Sequence, residues 1–305
     1  MMPEESRDLP PLPEGLSSFG AAVHDGWLYV YSGHTGGAHD HSRENLSQRF
    51  QRLQLADGEV WEELPMQTPL QGLALVAHET GLYRIGGLNA RNAPEEEEDL
   101  VSLAEFSQFD PQSGHWTRLA DLPHARSSHD AVVIENRLYV AGGWTLGIDG
   151  GTWLDSALVF DLTALESEWE SLPQVPFERR ALTVSHWQGK LVVAGGIDSA
   201  GDISFSTDLY DPVAKIWSKG PRLPGEGMGA FGLSAWNLRA QLYLCGFGGI
   251  VYQLAADGLS WKEVLPMQTA RFFHQLLSDD SKSLLAVAGA SRRGHLTDIE
   301  RLHVH

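Results

Sequence analysis

Three histidines and an aspartate fall within eight residues: His34, His39, Asp40 and His41. Imidazoles and carboxylates around an open position are the usual ligands of zinc, iron, copper or manganese, and a metal so held activates water for hydrolysis. His-x-His in a loop has no fixed geometry, so further ligands must come from elsewhere. His129 and His274, each three residues after an arginine, are the candidates. The metal set is therefore His34, His41, His129 and His274, and the implied cofactor is a divalent transition metal (Zn, Fe, Cu or Mn).

A second group could bind anions. Arg126 and Arg271 open equivalent apolar runs, and Arg179-Arg180 holds a similar place. Guanidinium groups gathered at one place in an acidic chain suit carboxylate or phosphate. Ser128, Trp144 and Phe272 lie beside them and add a hydroxyl and two aromatic faces. Trp153 closes the glycine-rich GIDGG stretch that Trp144 opens. Glu178, beside Arg179 and Arg180, and Glu226 are candidate acid and base groups.

Other motifs carry less. Glu95–Asp99 reads EEEED, and a carboxylate run is usually a solvated loop. Gly227 to Gly232 matches G-x-G-x-x-G in letters but precedes a strand, so the dinucleotide reading fails on context. There is no phosphate-loop sequence and no nucleophile elbow. The single cysteine, Cys245, rules out an internal disulfide and sits at the buried end of a strand. The net charge of -18 opposes nucleic acid and anionic membrane surfaces as partners. No apolar run approaches the roughly 18 residues that span a bilayer. The acidic, proline-rich start of the sequence has no cationic and apolar signal pattern. The expected setting is the cytoplasm and the expected state a monomer.

These residues must be positioned by something, and the chain shows it as a repeat. Strand-like runs end in small-residue doublets: LYVYSG, LYRIGG, LYVAGG, LVVAGG, LYLCGF and LAVAGA. The doublets begin at positions 32, 86, 142, 195, 246 and 289. Trp61, Trp116, Trp169, Trp217 and Trp261 recur in phase, each after a turn such as FDPQSG or YDPVA. Each tryptophan is followed by Leu-Pro and then by another apolar run such as SSHDAVVI. Each unit reads as four short strands, a to d, with Gly, Pro and Asp between them. The doublet supplies backbone without side chains where neighbours crowd a common centre. Each tryptophan is expected to pack against the next unit. Thr163–Glu168 is too short for more than a turn.

The doublet, the aromatic-Asp-Pro turn, the tryptophan and the Leu-Pro together resemble the kelch repeat, whose period is near 50 residues. The resemblance covers nearly the whole chain and implies an all-β, six-bladed propeller. The blades are read as residues 15–64, 65–122, 123–172, 173–223, 224–265 and 266–305, the last joined by 6–13. The sixth unit lacks a strand d and a tryptophan, so the N-terminal RDLPPLP segment is expected to supply its outer strand and remove an exposed edge. In propellers of this kind the b-to-c and d-to-a connections share one face, where ligands bind. His34, in blade one, would then approach His274, in blade six. The resemblance implies a recognition propeller for a small polar or anionic ligand at the channel mouth, with metal-assisted chemistry as an addition. The alternatives are a protein-interaction scaffold that takes an acidic peptide, or an acidic-sugar mutarotase.

Overall fold

The computed structural model describes residues 8–147, 150–279 and 283–304, and the repeat folds there as six antiparallel meanders around one axis. The inner strands a are Gly20–His24, Ala74–His78, Asp130–Ile134, Thr183–Trp187, Ser234–Leu238 and Gln275–Ser278. Strands b are Trp27–Tyr31, Gly81–Ile85, Arg137–Ala141, Lys190–Ala194, Gln241–Cys245 and Ser283–Val287. Strands c are Phe50–Gln54, Phe106–Asp110, Ala157–Asp161, Thr207–Asp211, Ile250–Leu254 and Ile299–His303. The outer strands d are Glu62–Leu64, His115–Arg118, Glu170–Ser171, Ile216–Lys219 and Trp261–Pro266. The fold is a six-bladed all-β propeller. The only helical turns among the described residues are short 3-10 segments, Arg43–Asn45 and Gly227–Ala230.

Local chemistry explains the corners. The Asp of each aromatic-Asp turn joins strand c to strand d. Asp110 accepts the Gln112 N–H and the Ser113 hydroxyl, and Asp211 accepts the Val213 and Ala214 N–H groups. A carboxylate that accepts two donors at i+2 and i+3 shapes the turn without help from the core. The same bonds hold Asp110 and Asp211 below the ordinary carboxylate range, through the Ser113 hydroxyl first in one case and the Ala214 N–H first in the other.

The glycine doublet has a double steric cause. A Cβ at Gly143 would lie 2.9 Å from Cβ of His129, in its own blade. One at Gly142 would lie 2.4 Å from Cδ2 of Leu182, in the next. Both glycines have positive φ, +68° and +91°. In blade six the pairing of Val287 with Gln275 shows that the doublet is Ala288-Gly289, one residue earlier than the sequence pattern suggested. In blade one Ser32 takes the first glycine's place at φ 51°. Its hydroxyl donates to the Ser47 carbonyl and accepts the Leu70 N–H of blade two, which ties the two blades together.

Apolar side chains fill the wedges between blades. Tyr83, Ile85 and Phe106 of blade two pack with Leu138, Val140, Phe160 and Trp169 of blade three. The tryptophans face the preceding blade, which reverses the expected direction. Trp116 Nε1 donates to the Pro65 carbonyl, Trp169 to Ala120, Trp217 to Pro173 and Trp261 to Pro221.

Ring closure uses the same contacts. Blade six has three strands among the described residues, and residues 8–13 form none. Ser6 and Arg7, part of the expected closing strand, lie outside the described residues. The N-terminal segment nevertheless occupies the outer position. Trp61 of blade one donates to the Pro11 carbonyl, as its counterparts do to their preceding blades. The Leu12 N–H donates to the Thr297 carbonyl, just as Leu122 does to Ala104 and Leu223 to Phe205. Leu9, Leu12 and Leu16 join the apolar cluster around Leu277 and Leu285.

Candidate functional site at the propeller rim

The entrance on the face of the d-to-a and b-to-c connections is framed by main chain. Ser18, Gly72, Ser128, Ala181, Gly232 and Phe273 stand one per blade, all with φ between 51° and 61°. Their peptides bond head to tail. Gly72 N–H donates to the Ser18 carbonyl, Ser128 to Gly72, Ala181 to Ser128, Gly232 to Ala181, Phe273 to Gly232 and Ser18 to Phe273, at 2.6 to 3.0 Å. This closed ring of six bonds surrounds a cavity of about 60 Å³. Behind it, strands a line an axial cavity of about 310 Å³, walled by Ala21, Val132, Val184, Ala235 and Leu276 with Asp130, His186 and Asn237 as polar groups. Burial raises the Asp130 carboxyl to about 6, against the pull of bonds from the Val184 and Ala131 N–H groups and the Thr183 hydroxyl.

Three of the nominated arginines are committed inside their own blades. Arg126, Arg179 and Arg271 occupy the same position and are 0%, 3% and 0% exposed. Arg126 donates to the Gly142 and Ser156 carbonyls and the Ser156 hydroxyl. Arg179 donates to the Gly195 and Ser206 carbonyls and pairs with Asp208. Arg271 donates to the Ala286 and Ala288 carbonyls and pairs with Asp298 and Glu300. Each guanidinium staples strand b to the start of strand c, which uses the donors a ligand would need. Blades one, two and five have Leu16, Leu70 and Ala230 there, so the position is a core position.

His129 and His274 are likewise interior. Burial, with the neighbouring Arg126 charge, lowers His129 to about 3. Burial and Arg271 do the same to His274. His129 has neither ring nitrogen bonded, and His274 Nε2 lies 3.1 Å from Cys245 Sγ. Burial pushes the Cys245 thiol up to about 12, so it is no nucleophile.

The opening histidines gather at the junction of blades one and six, with a partner the sequence did not reveal. His34 lies 5.2 Å from His41 and 5.5 Å from His295, ring centre to ring centre. His274 is not in this group. Each imidazole is bonded to protein: His34 Nε2 to the Asp40 carbonyl, His295 Nε2 to the Gly36 carbonyl, and His41 Nδ1 to the Gln71 amide. Among the described residues no three His, Cys, Asp or Glu side chains are arranged to hold a metal ion. His295 ends a short hairpin, Ala290–Ser291 with Gly294–His295, and only that hairpin's geometry brings it across the seam.

Three further nominees sit on the rim with aromatic neighbours. Trp144 and Trp153 face each other across the hairpin Trp144–Gly147 with Gly150–Trp153. The Arg180 guanidinium of blade four lies over both, 4.2 Å and 5.4 Å from the ring centres. Between blades five and six, Phe272 stands 5.2 Å from Phe247 and 5.0 Å from Phe273, and Phe231 joins them. Arg292 covers Phe247, and Arg222 covers Phe205. Phe247 could have been noticed because it replaces the second glycine of its doublet. Glu178 and Glu226 are exposed, and Ser128 serves in the peptide ring.

This architecture defines a β-propeller whose d-to-a and b-to-c connections lie on one face. The kelch motif matches residues 125–176 and 178–224. An F-box/kelch-repeat protein of Arabidopsis thaliana is 27% identical over 53% of this chain and 35% of its own. Kelch repeat and BTB domain-containing protein 12 of Homo sapiens is 22% identical over 67% of this chain and 34% of its own. Beta-scruin of Limulus polyphemus is 34% identical over 48% of this chain and 16% of its own. The chain thus spans about a third or less of these relatives. The solved structure of YjhT superimposes with a TM-score of 0.76 over 95% of both chains at 16% identity, a likeness of fold alone. The chain carries kelch motifs in blades three and four, and its relatives and its fold are those of kelch-repeat β-propellers.

Proposed function

We propose that this propeller is a protein-interaction scaffold whose working surface is the rim of blades three to six. Kelch-repeat propellers are generally protein-interaction scaffolds. The observation that carries the assignment here is a division among the arginines. Arg126, Arg179 and Arg271 are spent inside the blades, whereas Arg180, Arg222 and Arg292 lie on rim aromatics. None of these three rim arginines has a carboxylate partner among the described residues. Aromatic and arginine side chains are the residue types that dominate binding hot spots. A guanidinium already stacked on an indole is pre-oriented, so less entropy is lost when it meets a carboxylate.

The partner that fits is a protein segment with acidic residues among apolar ones. Small anionic ligands, metal-assisted hydrolysis and mutarotation lose support, because their nominated groups are buried, exposed singly or bonded to carbonyls. The test is affinity capture from lysate with wild-type protein and with Trp144→Ala and Arg180→Glu variants, each checked for folding by circular dichroism. Partners captured by wild type and lost by both variants support the assignment. Partners retained by both variants reject it.

A further inference from the structure

The two strands of the blade-three hairpin, Trp144–Gly147 and Gly150–Trp153, differ in what they touch. Trp144 exchanges both main-chain bonds with Ser127, and the Leu146 N–H donates to Ser102 Oγ at 2.9 Å. The main-chain groups of Trp144 and Leu146 therefore point away from the second strand and into the blade. Their cross-strand partners are Trp153 and Gly151. Antiparallel pairs alternate between bonded and non-bonded, so Trp153 and Gly151 point their N–H and C=O groups the opposite way, out of the hairpin. Among the described residues, no main-chain bond from either reaches another segment. Gly150–Trp153 is thus a sheet edge with two N–H and two C=O groups in a row, about 7 Å apart.

Proteins blunt exposed edges with charge, proline or a cover, because a bare edge invites pairing. The outer strands of the blades follow that rule. Glu62–Leu64, His115–Arg118, Glu170–Ser171, Ile216–Lys219 and Trp261–Pro266 each carry a charged side chain. Gly150–Trp153 reads GGTW, carries none, and is exposed at its first three residues. Glycine within a strand marks a place where another backbone comes close. A Cβ added at Gly150 would meet nothing within 4 Å. At Gly151 the Trp144 ring lies across the missing side chain, 3.4 Å from where a Cβ would stand.

The face beside this edge carries the charge. Trp144 and Trp153 share one face of the hairpin, and the Arg180 guanidinium lies over both. Among the described residues Arg180 has no carboxylate partner, and Arg180 Nε and Trp144 Nε1 have no hydrogen-bond acceptor. A second copy of the chain is a poor occupant, since it brings the same uncharged strand, its own Arg180 and a net charge of -18. An extended segment of another protein, with Asp or Glu on alternate residues, suits both the open edge and the unpaired guanidinium.

We propose that Gly150–Trp153 receives a partner by strand addition: an extended segment of another protein pairs with the outward main-chain groups of Gly151 and Trp153, and its alternate carboxylates meet Arg180. The main chain supplies affinity, and the Trp144–Trp153–Arg180 face selects the side chains. This rests on the reading of the rim as a protein-binding surface and adds the conformation of the bound segment to it.

The probe is a set of short linear peptides selected on the wild-type protein from a phage-displayed library and then synthesised. Gly151→Pro deletes one outward N–H and fills the edge with a ring, and proline is tolerated on an edge strand where the N–H faces solvent. It should weaken the peptides about tenfold or more, whereas Gly151→Ala, which keeps the N–H, should not. N-methylation of every second peptide residue should abolish binding in one register and spare it in the other, because alternate amides of an added strand face the edge. That second measurement decides even where Gly151→Pro disturbs the hairpin. Equal effects of methylation in both registers overturn strand addition. Peptides lost with Arg180→Glu but kept by Gly151→Pro leave the rim assignment standing and overturn strand addition alone. Peptides kept by both variants overturn the rim assignment with it. A wild-type dimer in sedimentation that Gly151→Pro dissolves makes the occupant a second copy and overturns the proposal.

Discussion

The indole N–H of Trp61 donates to the carbonyl of Pro11 at 2.9 Å, and it repeats at the ring closure the bond that joins each of blades two to five to the one before it. The N-terminal segment therefore performs the work of a strand d without being one among its described residues. Trp61→Phe keeps the ring and deletes only the donor. A neutral hydrogen bond contributes about 0.5–1.5 kcal/mol, so urea denaturation should show a loss of that size. Trp116→Phe should cost a similar amount. A cost at Trp116 with none at Trp61 would mean that the closure carries no load.

His129 and His274 stand where blades two, four and five have Leu73, Leu182 and Leu233. Both histidines are lowered to about 3, chiefly by burial. The sign follows from linkage: the unfolded state takes up protons below about 6.5 and the folded state does not, so stability falls from about pH 6.5 toward pH 3. His129→Leu and His274→Leu should flatten that decline while they leave neutral-pH stability equal or higher. Thermal unfolding between pH 4 and pH 7 reads it out, and an unchanged slope in both variants contradicts it.

Asp130 titrates with the opposite sign. Burial raises it to about 6 from an ordinary value of 3.8. The folded state therefore holds a proton that the unfolded state has released. The stabilisation is complete below pH 3.8 and is lost as pH rises through about 6. Asp130→Asn should remove this component, leaving a steeper net acid decline than wild type between pH 4 and pH 6. A decline no steeper than wild type would show that Asp130 ionises normally.

The staple arginines differ in their counter-charge. Asp208 is fully buried between Arg179 and Lys219, so Asp208→Leu strands Arg179 as a buried cation and should cost about 3–5 kcal/mol. Arg126 has neutral acceptors only, and burial lowers it to about 10. Arg126→Met leaves carbonyls rather than a charge unpaired and should cost less, about 1–3 kcal/mol. Paired equilibrium denaturation decides, and a larger loss for Arg126→Met refutes the ordering.

Much of the propeller was legible because its signals repeat in phase. Gly142-Gly143, Trp169 and Leu172-Pro173 each have counterparts in several other blades, so an error at one blade is corrected by the rest. Where a unit departs, the reading slipped: in blade six it chose Gly289-Ala290 over Ala288-Gly289, since pairing with strand a is invisible in sequence. The site was less legible. Arg126 and Arg180 look alike as letters, yet one lies inside its blade and the other on Trp144. Only β-sheet register decides between them. His295 carries no motif at all, and a single hairpin brings it to His34.

The ring of six main-chain hydrogen bonds at the entrance has a consequence for how such a protein can diversify. It draws on no side chain, and Ser18, Gly72, Ser128, Ala181, Gly232 and Phe273 satisfy it equally. Each blade enters with one donor and one acceptor, so every blade presents the same socket to its neighbours. The loops beyond behave as exchangeable fittings on a fixed hub. The rim of one blade can be rewritten, or traded for another's, while the hub that holds it in place keeps its alignment.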